Sequence, residues 1–169
     1  MSSTPIFLTE QLKETLRFNN IDPSTYGPAY GGESACLDLY YAPKHYDSEL
    51  ADTILIEPQV HHNKLIPTGL HIALPANRVA LVLERSSITK TSLKVRAGVI
   101  DAGYTGEIFV NCVSVDGWQR ILPRTKLPFQ LLITTCFNQF QQLSPEEWEA
   151  YLLSSARKDG CVGSSDSKV

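Results

Sequence analysis

From about residue 34 to 137 the chain reads as short β-type runs cut by Gly, Pro, Asn and Asp. The runs are CLDLYYA, TILIEP, KLIPTGLHIAL, RVALVLE, KVRAGVI, GEIFVNCVSV and LPFQLLITTCF. Their alternation and β-branched content suit pleated, half-buried strands. Short strands at such spacing can bury their apolar faces only by stacking sheet on sheet or by curling round, so a sandwich or barrel is predicted. At 169 residues, 43% of them hydrophobic, the chain can enclose one proper core.

Helical signals flank this region. Residues 6–18, IFLTEQLKETLRF, space apolar side chains at Ile6, Leu8, Leu12, Leu16 and Phe18, which predicts a short helix with Thr9 as a partial cap. Asp22 to Gly32 is a run of turn formers and must be loop. Ser144-Pro145-Glu146-Glu147 opens a second helix: Ser144 caps, Pro145 takes the first turn, and Glu147 completes a capping box. The organisation expected is an extension over 1–30, a β-barrel over 31–140, a helix over 141–156, and a flexible tail over 157–169.

Several classes are excluded as expectations. A net charge of -3 gives no broad electrostatic grip on nucleic acid. The N-terminus lacks a basic segment followed by an apolar run, and no 18 apolar residues are consecutive, so neither secretion nor a membrane span is expected. Cys36, Cys112, Cys136 and Cys161 lie far apart with no metal-type spacing and read as reduced thiols. The adjacent His61 and His62 would face opposite sides of a strand, a poor metal pair.

Four segments carry chemistry. In VRAGVIDAGYTGEIFVN, two β-like runs flank Asp101 to Gly106, which predicts a hairpin. It sets a carboxylate, Asp101, and a ring, Tyr104, on one tight turn whose glycines allow close backbone approach. Such a turn can hold a planar base on backbone amides while the ring packs on an adjoining sugar. Second, Glu84-Arg85-Ser86-Ser87 groups a guanidinium and hydroxyls at a strand end, a plausible phosphate cradle or an ordinary solvated loop. Third, Asp38 interrupts the apolar run SACLDLYYA; buried, it needs a cation or a metal-bound water, whereas on an edge strand it would face solvent. Fourth, Arg157 precedes a Gly- and Ser-rich run able to wrap a polyphosphate.

Taken in this order, the segments resemble the trimeric deoxyuridine triphosphatase (dUTPase) family over residues 34 to 165. AGVIDAGYTGEI is similar to the family's third motif almost residue for residue, SACLDLYYA to the first, and ERSSITK to the second, usually R-S-G. RKDGCVGSSD resembles the fifth motif, with Val162 where the family has a phenylalanine over the uracil. LPRTKLPFQLLI keeps Gln130 of the fourth motif but not its arginine, for which Arg124 or Lys126 would substitute.

The resemblance implies an all-β fold, a distorted jelly-roll β-barrel with short N- and C-terminal helices, assembled as a homotrimer with shared active sites. The reaction implied is dUTP and water to dUMP and pyrophosphate, with Mg2+ on the triphosphate. Asp101 would activate water against the α-phosphorus. Gly98, Val99, Ile100 and Tyr104 would hold base and sugar. Arg85, Ser86, Ser87 and Gln130 would bind phosphates, and Asp38 would meet Mg2+ through water or orient a basic side chain. Arg157, Val162, Gly163, Ser164 and Ser165 would close over the nucleotide. A cytoplasmic setting goes with this substrate, a host cell's if the source is viral, or a nucleus if eukaryotic. Two alternatives are a dCTP deaminase and a catalytically idle trimeric binding protein. Deamination needs a proton-shuttling glutamate where this chain has Asn111.

Overall fold

The computed structural model describes residues 4–58, 63–137 and 139–154. The chain divides into two compact units, Met1–Phe137 and Asn138–Val169. The first unit opens with β1 (Ile6–Leu8) and α1 (Glu10–Phe18), then β2 (Cys36–Tyr40), a single helical turn α2 (Glu49–Asp52), β3 (Ile54–Ile56), β4 (Lys64–Pro67) and β5 (Leu70–Ile72). It continues with β6 (Arg78–Glu84), β7 (Leu93–Ala97), β8 (Val99–Ile100), β9 (Phe109–Ser114), β10 (Gln119–Ile121) and β11 (Lys126–Thr135). The fold is all-β with short helices, in keeping with the jelly-roll expectation.

Among the described residues, four antiparallel sheets carry it: β2-β11-β6-β8, β4-β9-β7, β1-β5 and β10-β3. The ten-residue β11 is the spine, pairing β2 on one edge and all of β6 on the other. Its alternate residues Leu127, Phe129 and Leu131 are buried, as are Ala80 and Val82 of β6 and Ile66 and Val110 of the three-stranded sheet. One core therefore joins the sheets' inner faces.

The structure corrects three readings. Residues 6–18 are not one helix: Ile6, Phe7 and Leu8 pair with Ile72, His71 and Leu70, and the helix starts only after Thr9. Thr9 has extended backbone and its hydroxyl accepts from Leu12 N at 3.3 Å, so it terminates the strand and caps the helix at one residue. Leu12 and Leu16 are fully buried in the main core, which makes this segment part of the core.

KLIPTGLHIAL is two strands, broken at Gly69. That residue has φ 66°, and a Cβ there would lie 2.4 Å from Thr9 Oγ1, so the site requires glycine twice over. KVRAGVI is likewise two strands, so the expected hairpin is split. β7 pairs β9 at its base, with a register shift between Val95 and Ala97, while β8 leaves to pair β6.

The second unit holds α3 (Pro145–Ser154). Its capping box forms as read: Glu147 N donates to Ser144 Oγ at 3.2 Å, and Ser144 N donates to Glu147 Oε2 at 2.7 Å. Trp148 stacks on Tyr151 with ring centroids 5.8 Å apart. His61, His62 and the tail from 157 onward, with Arg157, Val162, Gly163, Ser164 and Ser165, lie outside the described residues.

Candidate active site

Splitting the hairpin opens a cleft. Where β8 departs toward β6, the segment 98–109 is spread between two sheets and borders a cavity of about 340 Å³. Gly98, Val99, Ile100, Asp101, Tyr104 and Asn111 are among its lining residues. Gly98 is needed for the departure: its carbonyl accepts from Val82 N at 2.8 Å, and an added Cβ would sit 2.6 Å from Val82 O.

The turn itself is pinned. Tyr104 N donates to Asp101 O at 3.0 Å, and the Tyr104 hydroxyl donates to Glu107 O at 2.6 Å, so the ring is tethered at both ends. Glu107 in turn accepts from Gly69 N at 2.8 Å through its carboxylate. Sequence reasoning missed Glu107; its signal was a carboxylate beside the apolar run that starts at Ile108. Asp101 is exposed, and among the described residues no group hydrogen-bonds its carboxylate. A fixed backbone with a free carboxylate is able to accept a proton from whatever enters the cleft.

A second cavity, of about 400 Å³, is lined by Cys36, Asp38, Arg85, Ser86, Lys126 and Gln130, among others. Arg85 follows directly on β6 and begins the 3-10 turn Ser86–Lys90. Asp38 is 8% exposed, so of the two sequence expectations the buried one applies. Its partners are cations: Arg85 Nε at 2.7 Å on one oxygen, Lys126 Nζ at 2.8 Å on the other. The hydrogen bond to Asp38 holds the Lys126 ammonium above the usual lysine range, against the opposing effect of burial. Arg85 also donates to Leu127 O at 3.4 Å, and Gln130 Nε2 donates to Glu84 O at 3.0 Å. These contacts hold two cations and an amide along one wall, a donor-rich surface suited to an anion.

Ser87 does not belong to the lining; its hydroxyl is buried and unpartnered within the turn. Lys126 stands beside Asp38, whereas Arg124 packs elsewhere, over the Tyr46 ring at 3.8 Å. Asn111, on β9, accepts from Asn63 Nδ2 at 2.8 Å through its side-chain oxygen.

The architecture is thus that of a small all-β protein with two clefts, one largely apolar with a free carboxylate and a tethered ring, the other polar with a pair of buttressed cations. The family model for dUTPase matches residues 32–165. The chain is 35% identical over 134 residues to the deoxyuridine 5'-triphosphate nucleotidohydrolase of Dictyoglomus turgidum, covering 78% of this chain and 83% of that protein. Among solved structures, a point mutant of the Staphylococcus bacteriophage 80alpha dUTPase with dUpNHpp superposes with a TM-score of 0.72 at 21% identity, covering 98% of this chain and 99% of that one. A point mutant of the dUTPase from phage phi11 of S. aureus, described for its coordination of a structural Mg(II) ion, superposes with a TM-score of 0.63 at 19% identity over 85% of this chain and 97% of that one. The chain belongs to the dUTPase family.

Proposed function

We propose that the protein hydrolyses dUTP to dUMP and pyrophosphate, with Asp101 as the general base. The observation that carries this reading is the unpaired Asp101 carboxylate on a pinned turn, next to the Tyr104 ring and the 98–100 backbone in one cleft. Deoxyribose packs on the Tyr104 face, and the backbone of Gly98, Val99 and Ile100 meets the base edge. Asp101 takes a proton from water as its oxygen attacks the α-phosphorus and the bond to the leaving pyrophosphate breaks. Positioning and charge neutralisation supply most of the acceleration in such displacements.

Arg85, Ser86 and Gln130 bind the phosphates, with Ser87 supporting the turn. Asp38 holds Arg85 in place; any water-bridged contact from Asp38 to Mg2+ uses the lone pairs that Arg85 and Lys126 leave. Among the described residues no three His, Cys, Asp or Glu side chains converge. Mg2+ would arrive as the chelate of the triphosphate, with Asp38 the carboxylate able to meet its waters, and would supply charge neutralisation at the phosphates.

The two clefts have no lining residue in common. This supports a homotrimer in which base and phosphates are bound by different copies, and Arg157, Val162, Gly163, Ser164 and Ser165 close the site. A cytoplasmic location goes with that substrate.

The test is pyrophosphate release from a panel of deoxynucleoside triphosphates, with and without Mg2+, for wild type and Asp101→Asn. Turnover is expected for dUTP with Mg2+, falling by about 10²–10⁴ in the variant, whose amide cannot accept the proton. Wild-type rates from Asp101→Asn would remove the base. Ammonia from dCTP without pyrophosphate would favour deamination, and inactivity on every nucleotide the binding-protein reading.

A further inference from the structure

A third cavity, polar and of about 230 Å³, lies between α1 and the loops after β2 and before β11. Gln11, Thr15, Lys44, His45, Tyr46 and Arg124 line it, with Glu14 and Pro43. It shares no residue with either cleft described above.

Arg124 is held in place here from several sides. Its backbone has φ 59°, an uncommon state for a residue with a side chain. Its N–H donates to Tyr41 O at 3.0 Å, and its carbonyl accepts from Asn19 Nδ2 at 2.7 Å. The guanidinium lies over the Tyr46 ring at 3.8 Å, and the side chain as a whole is 25% exposed. Yet its hydrogen-bonding capacity is unspent. Its nearest carboxylate, Glu14, is 3.7 Å away and largely exposed, and among the described residues nothing accepts from its N–H groups within hydrogen-bond distance.

A second, independent observation lies in the wall of the same cavity. Thr15 is 1% exposed, and its hydroxyl has no hydrogen-bond partner. Buried hydroxyls are normally satisfied, because leaving one bare forfeits its hydration for nothing. A guanidinium fork with no acceptor, an idle hydroxyl, an ammonium from Lys44 and the imidazole of His45 form a donor set short of acceptors.

We infer that this cavity is a binding site for a small oxyanion of the phosphate or carboxylate type, received by Arg124 with Thr15 and Lys44. The ring beneath Arg124 leaves the guanidinium edge free for two parallel N–H···O bonds. The site is separate from the catalytic reading and does not depend on it.

The experiment is a titration of the full-length, isotopically labelled protein with inorganic phosphate, and separately with acetate, at constant ionic strength set by sodium chloride. Saturable shifts are expected at the Thr15 and His45 amides and the Arg124 Nε–H, with chloride alone producing none. Phosphate ahead of acetate would identify a phosphate-type ligand, and the reverse a carboxylate. Arg124→Asn suits the left-handed backbone, so it folds; it should weaken binding about tenfold or more, as loss of a charged bidentate donor does, while dUTP turnover stays unchanged. Thr15→Val should weaken binding while raising the thermal midpoint, a combination that a merely structural hydroxyl would not give. Shifts that do not saturate, or identical titrations of wild type and Arg124→Asn, would mean an adventitious ion only and overturn the site. Saturable binding with lost dUTP turnover in Arg124→Asn would overturn its separateness.

Discussion

Replacing Asp38 by Asn removes one charge on which two cations depend. Asp38's side chain is 12% exposed, Arg85's 26% and Lys126's 40%. Breaking a fully buried pair costs about 3–5 kcal/mol, and an exposed one about 0.2–1 kcal/mol. Arg85 lies between these limits and Lys126 nearer the exposed one, so losing both contacts should cost about 3 kcal/mol. The asparagine oxygen can still accept one hydrogen bond, which offsets about 1 kcal/mol. The expected net loss of about 2 kcal/mol corresponds to a fall in Tm of about 4–8 °C for a chain of this size.

Calorimetry at neutral pH measures this directly, and urea unfolding adds a second check through pH. The pKa of Lys126 is raised in the fold, so the stability it contributes is complete below the ordinary lysine value of 10.5 and is lost as pH rises through the raised one. The gap between wild type and Asp38→Asn should therefore stay level from pH 8 to 10 and narrow above it, only in part because Arg85 keeps its charge. A Tm within 1 °C of wild type at neutral pH (roughly 0.3 kcal/mol) would refute the reasoning. It would mean that solvent replaces the carboxylate at no cost.

Two further outcomes follow from packing. Leu16→Ala should destabilise the first unit by about 2–5 kcal/mol in urea unfolding, since Leu16 is fully buried in the main core; an effect under about 0.5 kcal/mol would mean α1 is peripheral. Gly98→Ala should cost about 1–3 kcal/mol and lower dUTP turnover together, because its Cβ meets Val82 O at 2.6 Å and pushes β8 off β6; normal turnover with normal stability would show that the strand can shift freely.

What was legible beforehand had local causes. The capping box at Ser144 and Glu147 involves groups three residues apart, so the sequence holds both ends of every bond. The turn Asp101 to Gly106 was legible for the same reason, and so was the cap at Thr9. The strand Ile6–Leu8 was not: its apolar residues fit a helix equally well, and only Leu70 to Ile72, far along the chain, supply its hydrogen bonds. The departure of β8 was hidden likewise, since its partner is Ala80 and Leu81 rather than the strand across the turn.

Sequence alone determined that the chain builds strands, where it turns, and which short motifs bear carboxylate, ring and guanidinium. These follow from side-chain shape, φ preference and contacts within a few residues. The tertiary structure decided which strands pair, that Lys126 and not Arg124 stands beside Asp38, and that Arg124 and Thr15 meet at a separate cavity. Such choices depend on burial and charge shared between residues up to about a hundred positions apart, where no local preference reaches.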